Sequence, residues 1–134
     1  MVAGGRSAGS QVACRTAKAL GGDAVIALSY PLLGPGSPRE LLSTDLPMLV
    51  VQGGIDPYGR PGQFPPLPAR VDLVEIPNNG HMFDNPAAVA EAVTTRLTQL
   101  PRSIPRDRRE LTRPREASPR SGLDPASPSS SGLV

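Results

Sequence analysis

Across the first hundred residues, short unbroken apolar runs alternate with stretches in which apolar positions return every three or four residues. The first pattern suits a parallel strand covered on both faces, the second one face of a helix. Residues 24–29 and 47–52 are unbroken runs and predict buried strands. Residues 71–76 predict another strand, and Asp72 and Glu75 within it suit the edge of a sheet. Residues 1–4 read as the end of a further strand. Residues 10–20 predict a helix with Val12, Ala13, Thr16, Ala17 and Leu20 on its buried face and Gln11, Arg15 and Lys18 opposite. Gly21-Gly22 stops it, because glycine takes the left-handed conformation that follows a helix at little steric cost. A last helix starts at Pro86 under an Asn85 cap, buries Val89, Val93, Leu97 and Leu100, and ends at Pro101. Between these elements, residues 32–45 have room only for a helical turn at 39–42, and the prolines of 57–68 predict a loop or a short irregular helix. The alternation predicts an α/β fold: a three-layer sandwich around a mostly parallel sheet.

Composition divides the chain at residue 100. Residues 101–134 hold seven arginines, four acids, six prolines and seven serines, with large apolar residues thinly spread. Such a stretch buries too little surface to offset its ordering entropy and predicts a disordered tail after a folded domain spanning 1–100. The tail has net charge +3 and the domain −1, so the pI of about 9.2 describes the tail rather than a basic folded surface. With no aromatic residues interleaved, the arginines read as solvated, and no nucleic-acid partner is expected. One cysteine, Cys14, permits no internal disulfide, and one histidine excludes the usual Cys/His zinc arrangements. There is no signal-peptide pattern and no apolar run near the ~20 residues of a spanning helix, so a cytoplasmic chain with no membrane partner is expected.

Chemistry enters with Gly5-Arg6-Ser7-Ala8-Gly9, which reads G-x-S-x-G between a strand and a helix. A phosphate-cradling loop would need Gly-Lys before Ser or Thr, and a dinucleotide loop another glycine spacing, so a nucleophile elbow is favoured. The two glycines are expected to relieve collisions at a strained turn that exposes the Ser7 hydroxyl. Serine is a poor nucleophile until a neighbouring base takes its proton, and histidine, with an ordinary pKa of about 6.5, suits that task. His81 is the one candidate, and Asp56 is the acid placed to hold its other nitrogen. Asp45 and Asp23 precede their strands, Asp72 lies within one, and Asp84 is too near His81 in sequence. Ser7, Asp56 and His81 each follow the C-terminal end of a predicted strand, the rim where ligands gather in open parallel sheets. The Ala8 N–H is the natural first oxyanion donor. Arg6 reads as either a binder of an acidic substrate group or an outward salt bridge. Tyr58 and Phe83 read as either pocket lining or packing over the rim, and Cys14 as a small buried apolar residue.

Gly4-Gly5-Arg6-Ser7-Ala8-Gly9, Leu49-Val50-Val51-Gln52-Gly53-Gly54-Ile55-Asp56-Pro57 and Ile76-Pro77-Asn78-Asn79-Gly80-His81-Met82-Phe83 together resemble an α/β-hydrolase. The similarity is to the small, dienelactone-hydrolase-like kind, including bacterial relatives of testis-expressed and nonspecific-lethal-complex hydrolase-like proteins. It covers roughly residues 1–100 and the C-terminal half of the family's fold, about four of its usual eight strands. The resemblance implies a serine hydrolase acting on an ester or similar acyl bond of a small molecule, through Ser7, His81 and Asp56, with no metal or organic cofactor. It also implies impaired activity in a fragment, because the family's second oxyanion donor comes from a loop after the third strand, which has no counterpart here. The alternative expectation is a non-catalytic hydrolase-like interaction domain that self-associates through the open sheet edge at residues 1–4.

Overall fold

The computed structural model describes residues 1–100 except Gly36; the expected disordered tail, 101–134, lies outside the described residues. Eight elements follow in chain order: β1 (Val2–Arg6), α1 (Ala8–Thr16), β2 (Ala24–Leu28), α2 (Ser37–Ser43), β3 (Met48–Gly53), a 3₁₀ turn (Pro61–Gln63), β4 (Val71–Ile76) and α3 (Pro86–Gln99). The strands form one parallel sheet in the order β1-β2-β3-β4, with Val2 opposite Ala24, Val25 opposite Met48 and Met48 opposite Val71.

This one-directional order decides where the helices go. Right-handed crossovers place the segments joining successive strands on the same face. Accordingly Ala13 and Cys14 of α1, Ala17 just after it and Leu41 of α2 cover Val25, Ala27, Met48, Val50 and Val71. The last helix is not a crossover and packs on the opposite face, where Val89 meets Ile26, Leu49, Val51 and Ile76. Side chains alternate along β3, so Met48 and Val50 serve one core and Leu49 and Val51 the other, all four buried. The three layers are those predicted.

Two helix faces differ from the expected ones. In α1 the buried residues are Ser10, Ala13 and Cys14, joined by Ala17 just past its end, whereas Val12 and Leu20 are 46% and 70% exposed. Both sets have helical spacing, and close approach to the sheet at the strand-to-helix turn selects the smaller one. The helix also stops at Thr16, with turns continuing to Gly21. Along α3, Leu97 is 45% exposed while Ala88, Ala92 and Val93 pack beside Val89. Arg96 takes the next position and pairs with Asp72 of β4 at 2.6 Å.

The second helix has seven residues rather than one turn. It is held by Gln11 Nε2 on Ser37 Oγ at 2.7 Å, by Arg15 on Glu40 at 2.7 Å, and by the Tyr30 hydroxyl on the Ser37 carbonyl. Exposed ion pairs such as Lys18–Asp45 are screened by water and contribute little, whereas a buried side chain such as Leu41 contributes about 1.5–3 kcal/mol. Apolar contact therefore fixes α2, and the pairs trim its edges.

Candidate active site

Ser7 joins β1 to α1 at φ 51, ψ −125, in the left-handed half of conformational space. A non-glycine residue there costs about 1–3 kcal/mol and persists only where its surroundings dictate it. The Ser7 N–H donates to the Leu28 carbonyl at 2.9 Å, and the Ser7 carbonyl accepts from the Ser10 N–H at 2.9 Å and from the Ser10 hydroxyl. Gly5 makes the turn sterically feasible: a Cβ there would lie 2.2 Å from the Gly9 carbonyl oxygen and 2.7 Å from the Ser10 nitrogen. Gly9 does not share that role, because a Cβ added to it meets nothing within 4 Å. Ala8 opens α1, so its N–H is one of those without an intrahelical acceptor, directly beside Ser7.

Asp56 lies in the loop leaving β3 and is fully buried. A buried carboxylate needs donors, and it has them. Oδ1 accepts from the Tyr58 N–H at 2.8 Å, and Oδ2 lies 2.9 Å from His81 Nδ1. The loop leaving β4 brings the histidine there. Asn79 shapes that loop by accepting from the N–H groups of Asp84 and Asn85 at 2.8 and 3.0 Å and donating to the Pro77 carbonyl at 2.9 Å. The two loops are joined directly, Ile55 N–H donating to the Asn79 carbonyl at 3.1 Å. Gly53 permits the approach, since a Cβ there would stand 2.3 Å from that carbonyl oxygen.

His81 Nε2 is 2.9 Å from Ser7 Oγ. The network assigns the tautomer: Nδ1–H donates to Asp56, and Nε2 accepts from the Ser7 hydroxyl. Serine, imidazole and carboxylate, separated by up to 74 residues of chain, are one hydrogen-bonded line at the C-terminal rim of the sheet.

A family model described as alpha/beta hydrolase domain matches residues 1–104. The chain belongs to the α/β-hydrolases. Among solved structures it is similar to a Xanthomonas campestris protein described as an a/b serine hydrolase without lid, at 26% identity and a TM-score of 0.57, covering 75% of this chain and 49% of that one. An alpha-beta serine hydrolase homologue from Coxiella burnetii shares the fold at 18% identity and a TM-score of 0.54, covering 74% and 49%. This α/β-hydrolase chain thus spans about half the length of the solved structures it matches. No curated protein matches its sequence.

Other residues singled out from the α/β-hydrolase sequence fall into clear places. The Tyr58 ring lies against His81, with centroids 4.5 Å apart and planes tilted by 51°. Phe83 packs into the core beneath α3 instead. The Arg6 guanidinium ends on the Met82 thioether rather than on a carboxylate. Cys14 is buried, and burial together with the nearby Glu40 carboxylate pushes its thiol up to about 11, so it stays protonated. Asp45 is on Lys18, whose hydrogen bond holds the carboxyl below its ordinary range, and Asp72 is on Arg96. Among the described residues no cluster of three or more His, Cys, Asp or Glu is placed to hold a metal, and no helix is long and apolar enough to cross a membrane.

The sequence reading passes over two buried polar residues at this rim. Ser29, at φ 49, donates from Oγ to the His81 carbonyl at 2.8 Å. Gln52 ends the apolar run of β3 with a fully buried amide. A polar residue at the end of a doubly covered strand was a readable signal for Gln52; the backbone conformation of Ser29 left none.

Proposed function

We propose that this chain carries the nucleophile, base and acid of a serine hydrolase acting on an ester or similar acyl bond. The observation that carries the proposal is the continuous line from Ser7 Oγ through His81 to Asp56, both contacts at 2.9 Å. In this reading Ser7 Oγ attacks the acyl carbon while its proton passes to His81 Nε2. Asp56 keeps Nδ1–H in place and stabilises the imidazolium, which then returns the proton to the leaving alkoxide. Water repeats the sequence on the acyl-enzyme and frees the acid. The Ala8 N–H and the N-terminal end of α1 face the developing oxyanion. The substrate is a small ester-like molecule, no cofactor takes part, and the setting is cytoplasmic.

A fluorophosphonate probe tests this reading. Ser7 is expected to be labelled, and Ser7→Ala to abolish labelling. Folded protein with native Ser7 that stays unlabelled from about pH 6 to 9 overturns the proposal.

A second reading is favoured by the edge of the sheet. Among the described residues β1 pairs with β2 alone; its first residue, Val2, is 37% exposed and Met1 before it 59%. An unpaired edge of this kind is a template for another chain, and in this reading the domain associates through it with a second copy of itself.

A further inference from the structure

The fully buried side chain of Gln52 is bonded at both ends of its amide. Oε1 accepts from the Tyr30 N–H at 2.9 Å, and Nε2 donates to the Tyr30 carbonyl at 2.9 Å and the Gly59 carbonyl at 2.8 Å. The same nitrogen donates to Asp56 Oδ2 at 3.3 Å, so its two hydrogens are shared among three acceptors.

Each partner leads to a different part of the candidate site. Gly59 closes the acid loop, its N–H donating to the Asp56 carbonyl at 3.2 Å. Tyr30 follows Ser29, whose hydroxyl holds the His81 carbonyl at 2.8 Å. The amide of Gln52 is therefore bonded to the segment that carries the carboxylate and to the segment that anchors the histidine. We propose that Gln52 is a positioning residue that sets the Asp56 carboxylate against His81 Nδ1 by tying the turn after β2 and the acid loop to one buried amide. Its catalytic meaning rests on the serine-hydrolase reading; the placement of the two side chains does not.

A glutamine that only filled the core would be replaceable by methionine of similar length at a cost in stability alone. A positioning glutamine would not, because removing the amide frees Gly59 and Tyr30 and lets carboxylate and imidazole drift apart. The groups facing the imidazole are Asp56 on Nδ1, Ser7 on Nε2 and the Tyr58 ring, with Arg6 the charged group of β1 at this rim. Loss of the carboxylate from Nδ1 removes the acceptor that holds the Nδ1 proton, which then exchanges with solvent.

His81 is the one histidine of the chain, so its ring signals in NMR spectra of the full chain are unambiguous. In Gln52→Met the protected Nδ1–H signal is expected to weaken as the contact with Asp56 loosens. Esterase kcat per active site is expected to fall about 10- to 100-fold with KM within about twofold. Should Gln52→Met fail to fold, Gln52→Asn is measured with the same expectation, since it keeps an amide one methylene too short to span Tyr30 and Gly59. A folded variant with an unchanged Nδ1–H signal overturns the proposal. A wild-type chain that neither labels nor turns over an ester overturns the hydrolase reading instead, and the Nδ1–H signal still decides the role of Gln52.

Discussion

Ser7 and its two neighbouring glycines show how differently identical residue types are used within five positions. A methyl group at Gly5 would collide with the backbone of Gly9 and Ser10, and relieving that contact means moving the start of α1. Gly5→Ala is expected to lower stability by about 2 kcal/mol or more, read as a shift in the urea midpoint. Gly9→Ala meets open space in the first turn of a helix, where alanine is favoured over glycine by up to about 1 kcal/mol, and is expected to be neutral or stabilising. The carboxylate gives a sharper test of chemistry. Asp56→Asn preserves size but not the preference for Nδ1–H, and is expected to cost about three to four orders of magnitude in kcat on a p-nitrophenyl ester with little change in KM. That Ser7, Asp56 and His81 lie on one rim was legible in the sequence because each sits in a short string just past a strand. The partners of Gln52 and Ser29 were not, because they depend on which strands lie side by side: Gln52 meets Tyr30 across 22 residues and Ser29 meets His81 across 52.

The same contrast holds for whole elements. Strand positions were readable from unbroken apolar runs, and β4 occupies residues 71–76 as predicted, at an edge of the sheet. Helix faces were less so. Leu97 follows the three-to-four spacing of the α3 stripe yet is exposed, and Arg96 lies where it can reach Asp72. A hydrophobic count cannot foresee an arginine that buries its stem and pairs its head at the sheet edge. Val89→Ala is expected to destabilise by about 1–3 kcal/mol through the cavity left between α3 and the sheet. Leu97→Lys is expected to change stability by less than about 0.5 kcal/mol, and thermal melts of the two variants separate the faces.

At the scale of the molecule, two sequence-distant loops and one elbow meet because every strand is parallel and every strand's C-terminal end opens on the same rim. The opposite consequence of that sheet is its open β1 edge. Self-association through this edge predicts an apparent mass by light scattering that rises with protein concentration, and reversal by Val2→Lys, which places a charge on the exposed edge. An apparent mass independent of concentration, at the value of one chain, removes that reading.

Each strand pairs with its immediate successor in sequence, so the sheet can be assembled by adding one neighbour at a time, without long loops having to close first. The hydrogen-bonded serine, carboxylate and imidazole come from the ends of the first, third and fourth strands, with Ser7 and His81 lying 74 residues apart. No partial assembly that omits the last strand unites them. Under the serine-hydrolase proposal, recovery of helical circular dichroism during refolding should therefore run ahead of fluorophosphonate labelling of Ser7, and the lag would time the arrival of β4. Labelling of the serine would in this sense be a clock for the completion of the domain.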